Sequence, residues 1–195
     1  LLQDGSLHSD STIKAKILLR QFQSVFTKSD CRTPPTMKGK PFPTLDDLII
    51  STSGVAKLLR NLNPSKASGP DDIPNRVLKT CADSIAPSLA AIFSLSIKSG
   101  QLPSDWRTAN ISSVFKKGDR NKAENYRPVS LTSVASKILE HIICRHLHSH
   151  FERHAILTNR NHGFRTGHSC ETQLLTTVND IMQGHDAGRQ TDVII

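Results

Sequence analysis

The chain has 195 residues, 36% of them hydrophobic and 22% charged, enough for one core and a fraction of another. Its 25 Lys and Arg against 17 Asp and Glu leave a net charge of +8, which points to an acidic partner, nucleic acid first. An aromatic share of 5% argues against a base-stacking platform, the absence of a C-x-x-C pair against a zinc or disulfide framework, and the lack of long apolar runs against a membrane span.

In chain order, Asp10-Ser11 caps a helix carrying Ile13, Ile17, Leu18, Phe22, Val25 and Phe26 at helical spacing. Residues 27–47 hold four prolines and little apolar content, the composition of a linker. Ser53 is expected to cap a second helix with Val55, Leu58, Leu59 and Leu62 on its apolar face and Pro64 at its end. A polar loop follows over residues 63–75. Val77, Leu78 and Cys81 mark a short helix; Ile85, Leu89, Ile92, Phe93 and Ile97 mark a longer one that stops at Gly100. The single tryptophan, Trp106, is expected to be a packing anchor for what comes next.

What comes next is a β-hairpin. Thr108 to Phe115 is rich in β-branched and apolar residues, Lys116-Lys117-Gly118-Asp119 reverses the chain, and Tyr126 to Leu131 returns with Pro128 confining it to an edge or a strand start. Between Lys116 and Arg127 five basic residues (Lys116, Lys117, Arg120, Lys122 and Arg127) face only Asp119 and Glu124. Such a tip suits phosphate, since lysine supplies a point charge and arginine a planar fork of donors. A merely solvated tip has the same composition.

Val134, Ile138, Leu139, Ile142, Ile143, Leu147 and Phe151 then recur in a helix capped near Thr132 or Ser133. Seven of the nine histidines lie between His141 and His168, and His146, His150 and His154 are four apart, a spacing that suits a metal or a helix face that charges in mild acid. Ser169 caps a last helix, for which Leu174, Leu175, Val178, Ile181 and Met182 are expected to form a buried face. Asp192-Val193-Ile194-Ile195 looks like the opening of a buried strand. Leu1 in place of Met is expected of a piece cut from something longer.

The wording of these stretches carries more than their periodicity. Trp106-x-x-Ala109, Phe115-Lys116-Lys117-Gly118-Asp119 and Asn125-Tyr126-Arg127-Pro128-Val129-Ser130-Leu131 closely resemble the fingers region of reverse transcriptases from non-LTR retrotransposons. Upstream, Leu62 to Asp71 and Gly100-Gln101-Leu102-Pro103 fit the same pattern. Downstream, Ser136-Lys137-Ile138-Leu139-Glu140 and His162-Gly163-Phe164-Arg165 continue it. Two departures stand out: Asp72 where the family usually has glycine, and Asn161 where it usually has glutamine.

The resemblance implies an α/β fold, the helix-rich fingers and start of the palm of a right-hand polymerase, as an incomplete domain. It implies a helical, proline-rich connector over residues 1–50 and a partial reverse transcriptase domain over 51–195. It also implies that Lys116, Lys117 and Arg127 contact the incoming dNTP. Lys66, Gly69, Asp71, Gly163, Phe164 and Arg165 would then hold the RNA template and DNA primer. Mg²⁺ is expected for the complete enzyme, held by aspartates beyond Ile195. Asp71-Asp72 matches a different motif and is assigned no metal, so no catalytic residue is assigned and this stretch alone is expected to polymerise nothing. The location implied is intracellular, nucleus or cytoplasm, without a membrane. Two other readings stay open: a non-catalytic nucleic-acid-binding remnant, and a helical interaction module whose basic surface is incidental.

Overall fold

Two minimal strands, β1 (Leu2–Gln3) and β2 (Ser6–Leu7), pair antiparallel ahead of the first helix. Asp10 then accepts the Ile13 N–H at 2.9 Å and starts α1 (Ser11–Ser24), with Ile17 and Phe22 on its buried side. The computed structural model describes residues 2–3, 6–27, 43–190 and 192. Most of the expected linker, with Cys31, and the expected strand at Val193–Ile195 lie outside the described residues. Residues 43–50 are described and form neither helix nor strand.

The chain divides into two units, Leu1–Lys40 with Asp47–Arg145, and Pro41–Asp46 with His146–Ile195. In the first, α2 (Thr52–Arg60) is capped by Ser51, whose hydroxyl accepts the Gly54 N–H at 3.1 Å. The cap thus lies two residues before the expected Ser53, and the helix ends at Arg60, ahead of Pro64. Next come α3 (Asn75–Thr80) and α4 (Ala82–Ser99). Gly100 closes α4 at φ +68°, in the left-handed region that glycine enters without strain.

The core is built differently from the expected pattern of large residues. On α4 the buried side is Ala82, Ala86, Ala90 and Phe93, whereas Ile92, Leu95 and Ile97 are exposed. Alanines four apart leave a shallow groove that lets α2 approach closely, with Val55, Ala56 and Leu59 filling it. Leu59, Val55 and Phe93 are fully buried, and each such side chain stabilises the fold by about 2 kcal/mol. Leu78 of α3 joins them, as do Val134, Ile138 and Leu139 of α5 (Val134–Arg153). Trp106 sits in a 3-10 turn, Ser104–Arg107, and meets Phe93 edge-on with ring centroids 5.6 Å apart. It is the packing anchor the sequence implies, tying the entry to the hairpin onto α4.

The hairpin pairs β3 (Asn110–Phe115) with β4 (Tyr126–Leu131), from Asn110 opposite Leu131 to Phe115 opposite Tyr126. In the second unit, α6 (Cys170–Asp186) begins with a reciprocal cap: Ser169 Oγ accepts the Thr172 N–H at 3.2 Å, and Thr172 Oγ1 accepts the Ser169 N–H at 2.9 Å. The expected buried face of α6 is not found. Leu174, Leu175, Val178 and Met182 are exposed and Ile181 half-buried, so the apolar period is present without a described surface to cover it. The mixed helix and strand content agrees with an α/β class.

Candidate nucleic-acid interface

Alternation along β3 and β4 sorts the hairpin into two faces. Ile111, Ser113 and Phe115 share one with Ser130, Pro128 and Tyr126; Ser112 and Val114 share the other with Val129 and Arg127. Ile111, Ser113, Tyr126 and Pro128 border a cavity of about 860 Å³ together with Leu18 and Phe22 of α1. Arg127 therefore stands on the face opposite α1, beside the exposed Val114 and Val129.

The tip is ordered by its own backbone. Lys116 N–H donates to the Asn125 carbonyl at 2.8 Å, Asn125 Nδ2 to the Asp119 carbonyl at 2.8 Å, and the Asn121 N–H to Asp119 Oδ1 at 2.9 Å. Gly118 turns at φ +88°, and a Cβ there would come within 2.8 Å of Asn125 Nδ2. The Arg120 guanidinium lies 4.5 Å over the Phe115 ring, which meets Tyr126 edge-on at 5.6 Å, and the Tyr126 hydroxyl donates to the Arg120 carbonyl at 2.9 Å. So Arg120, read as one cation among five, is folded back onto the hairpin. Lys116, Lys117, Lys122 and Arg127 are exposed, and among the described residues none of these side chains has an ion-pair or hydrogen-bond partner.

Residues 63–75 divide by role. Gly69 is buried so tightly that a Cβ would meet Ser133 N at 2.5 Å and the Thr132 carbonyl at 2.6 Å. Ser133 occupies the position before α5, yet its hydroxyl donates to Asp71 Oδ2 at 2.6 Å instead of capping its own helix. Gly69 and Asp71 thus pin the loop to the start of α5, while Lys66 is exposed. Asp72 has φ +51°, where glycine is unstrained and aspartate is among the tolerated exceptions. Asp72→Gly is expected to stabilise the fold by about 0.5 kcal/mol, the relief of a left-handed L-residue less the added chain entropy. A urea titration of both proteins measures it.

In the second unit, Phe164 is 99% exposed at φ +59°, and a Cβ on Gly163 beside it would meet Asn161 Oδ1 at 3.8 Å, an ordinary contact. Arg165 behaves otherwise. Its side chain is 8% exposed, and it forms a two-pronged pair with Glu152, Nε to Oε1 and Nη2 to Oε2, both at 2.8 Å. Nη1 donates to the carbonyls of Thr158, at 2.8 Å, and Asn161, at 3.3 Å. The arginine expected on phosphate is engaged in closing the turn between α5 and α6.

The Arg165 hydrogen bonds hold the Glu152 carboxyl below its ordinary pKa, and Glu152 raises that of Arg165. Because the folded-state value is depressed, the stabilisation is complete above the ordinary glutamate range and is lost as pH falls through the lower value. Amide exchange around Arg165 is expected to quicken in that acidic window, and Glu152→Gln to remove the pH dependence.

His146 Nε2 hydrogen-bonds the Asp46 carbonyl at 2.7 Å, while the His150 and His154 rings sit 4.6 Å apart. Among the described residues no three His, Cys, Asp or Glu side chains are grouped as a metal site requires, and Asp71 is taken by Ser133. The described residues therefore do not fit the Mg²⁺ that the family resemblance implies for a complete enzyme. Nor is any described helix long and apolar enough to cross a membrane. Sequence reading missed Ser133, the partner of Asp71, because 62 residues separate them.

No family model matches the chain. Individual proteins do. The probable RNA-directed DNA polymerase from transposon BS of Drosophila melanogaster is 30% identical over 138 residues, 70% of this chain and 15% of that protein. The RNA-directed DNA polymerase from mobile element jockey of the same fly is 28% identical over 174 residues, 85% of this chain and 19% of its own. An uncharacterized 149 kDa protein of transposon TX1 from Xenopus laevis is 32% identical over 106 residues, 54% of this chain and 8% of its own. The chain spans less than a fifth of each. By sequence it belongs with the RNA-directed DNA polymerases of non-LTR retrotransposons.

Proposed function

We propose that the chain is the nucleotide- and template-gripping part of such a polymerase, the fingers and the first part of the palm over residues 51–195, with residues 1–50 as its connector. One observation carries the reading. The hairpin tip is braced by its own hydrogen bonds, and its Lys116, Lys117 and Arg127 are exposed, with no side-chain partner among the described residues. The braced backbone holds the stems of these cations in place, and their uncommitted heads are open to a triphosphate, which they position and whose charge they offset. Lys66, Gly163 and the exposed Phe164 are assigned to template and primer, Lys66 as a backbone contact and Phe164 as a base contact. Gly69 and Asp71 act indirectly by holding the Lys66 loop. Arg165 is left out of the contact set, because its donors are engaged. Polymerisation belongs to the whole enzyme with Mg²⁺, and the described residues supply the grip.

The test is binding of single-stranded RNA by the 195-residue chain across a salt series. Affinity is expected to fall steeply, with a log–log slope near −2 or beyond, since each phosphate contact on a single strand contributes about −0.7. A flat salt response would leave the basic surface incidental and sink the reading.

A further inference from the structure

β3 and β4 form a two-stranded sheet, so each strand has an outer edge. The bond from the Lys116 N–H to the Asn125 carbonyl sets which backbone groups point where. Pairs alternate along an antiparallel ladder, so Val114 with Arg127 and Ser112 with Val129 are hydrogen-bonded pairs, and Ser113 with Pro128 is not. The N–H and C=O groups of Ile111, Ser113 and Phe115 therefore point away from β4. Among the described residues they have no hydrogen-bond partner.

The two edges are guarded unequally. On β4 the outward position is held by Pro128, which has no N–H to offer and closes that edge to a further strand. β3 has no such guard. Asn110 to Phe115 contains neither charge nor proline, its register runs without a bulge, and all of it but Phe115 is exposed. α1 packs on the 3-10 turn Ala123–Asn125 that leads into β4.

β3 is also complementary to itself. Turned antiparallel about Ser113, it sets Ile111 opposite Phe115 of a second copy and Ser113 opposite Ser113, so that each outward N–H meets an outward C=O. No charge lies within the paired stretch, and an aromatic ring opposite a β-branched side chain is a favourable cross-strand pair. Pro128 then limits growth. The joined sheet has only β4 at its two edges, so the assembly closes about a two-fold axis instead of extending as a fibre.

We infer that β3 is a dimerisation edge, joining two copies of this chain by antiparallel β3–β3 pairing centred on Ser113. The pairing uses backbone groups, needs neither Lys117 nor Arg127, and does not depend on the polymerase reading.

The experiment is sedimentation of the whole chain over a concentration series, with amide exchange followed by NMR at both ends of it. A monomer–dimer equilibrium is expected, and it strengthens as salt rises, because copies of net charge +8 repel and salt screens the repulsion. The Ser112 and Val114 N–H groups are expected to be protected at every concentration, and those of Ile111, Ser113 and Phe115 only where dimer forms. Ser113→Pro removes the central outward donor and is expected to weaken association more than about tenfold. Ser113→Lys sets like charges against each other at the axis and is expected to weaken it about fivefold. Because it leaves the backbone intact, it decides the matter if melting shows Ser113→Pro unfolded. Ser130→Lys, on β4, is expected to associate as the parent does. A chain that stays monomeric, its edge then left to an extended segment of some other protein, overturns the assignment. So does growth beyond the dimer, a dimer without the alternating protection, or unweakened association of folded Ser113→Lys.

Discussion

Replacing Lys117 and Arg127 together by alanine is expected to lower the affinity of the chain for single-stranded RNA at least about tenfold at low salt. It should also flatten the log–log salt slope by about 1.4, two contacts at about 0.7 each. Both side chains are exposed and have no partner among the described residues, so their removal costs little stability, and a melting curve beside the binding curve separates the two effects. Arg120→Ala is the informative contrast. Its guanidinium is stacked on Phe115, so its loss loosens the tip, and its effect on slope is expected to be smaller than its effect on melting. An unchanged slope in the double variant would move the interface elsewhere on the chain.

Gly69→Ala is expected to destabilise the first unit by about 2–3 kcal/mol, the range for forcing a methyl group into closed packing. The added carbon would lie 2.5–2.6 Å from backbone atoms of Thr132 and Ser133, which have no rotamer to escape into. Relief therefore requires the 63–75 loop to lift off α5, breaking the Asp71–Ser133 hydrogen bond and displacing Lys66. Urea unfolding measures the loss, and Ser133→Ala gives a reference for the hydrogen bond alone, about 1.5–3 kcal/mol for a bond to a charged group. Equal stability of Gly69→Ala and the parent would mean that the loop is not clamped as described.

The hairpin was legible because its signals are local: β-branched residues, a Gly-Asp reversal and a second short strand containing proline. Its ordered length came out shorter, from Asn110, since Thr108 is the extended residue that closes the preceding turn. The caps of α1, α2 and α6 were legible to within two residues, whereas the Ser133 hydroxyl expected near the start of α5 turns to Asp71. Ser51 won over Ser53 because helix geometry puts the Gly54 N–H, three residues on, within reach of the Ser51 hydroxyl. The α4 face was misread because a search for large apolar residues passes over alanine, which buries well for the opposite reason, that it lets another helix in. The α6 face has the right period, but burial depends on a partner and a pattern cannot supply one. Long-range matters were out of reach: Gly69 against Thr132–Ser133, and Glu152 taking the arginine read as a phosphate contact. A motif shows that a cation is present and is silent on whether it is already paired.

The alanine side of α4, with Gly69, has a consequence for how copies of this sequence age. At a position filled by leucine, such as Leu59, the damaging change is loss of volume, about 2–5 kcal/mol for alanine. At Ala86, which is fully buried, or at Gly69, nearly every coding change adds atoms where backbone or a neighbouring helix already stands. Drift there acts as a ratchet toward oversized side chains. Copies kept under selection should therefore hold these few positions small while their exposed charges vary, and an enlarged residue there would mark a copy whose fold is no longer maintained.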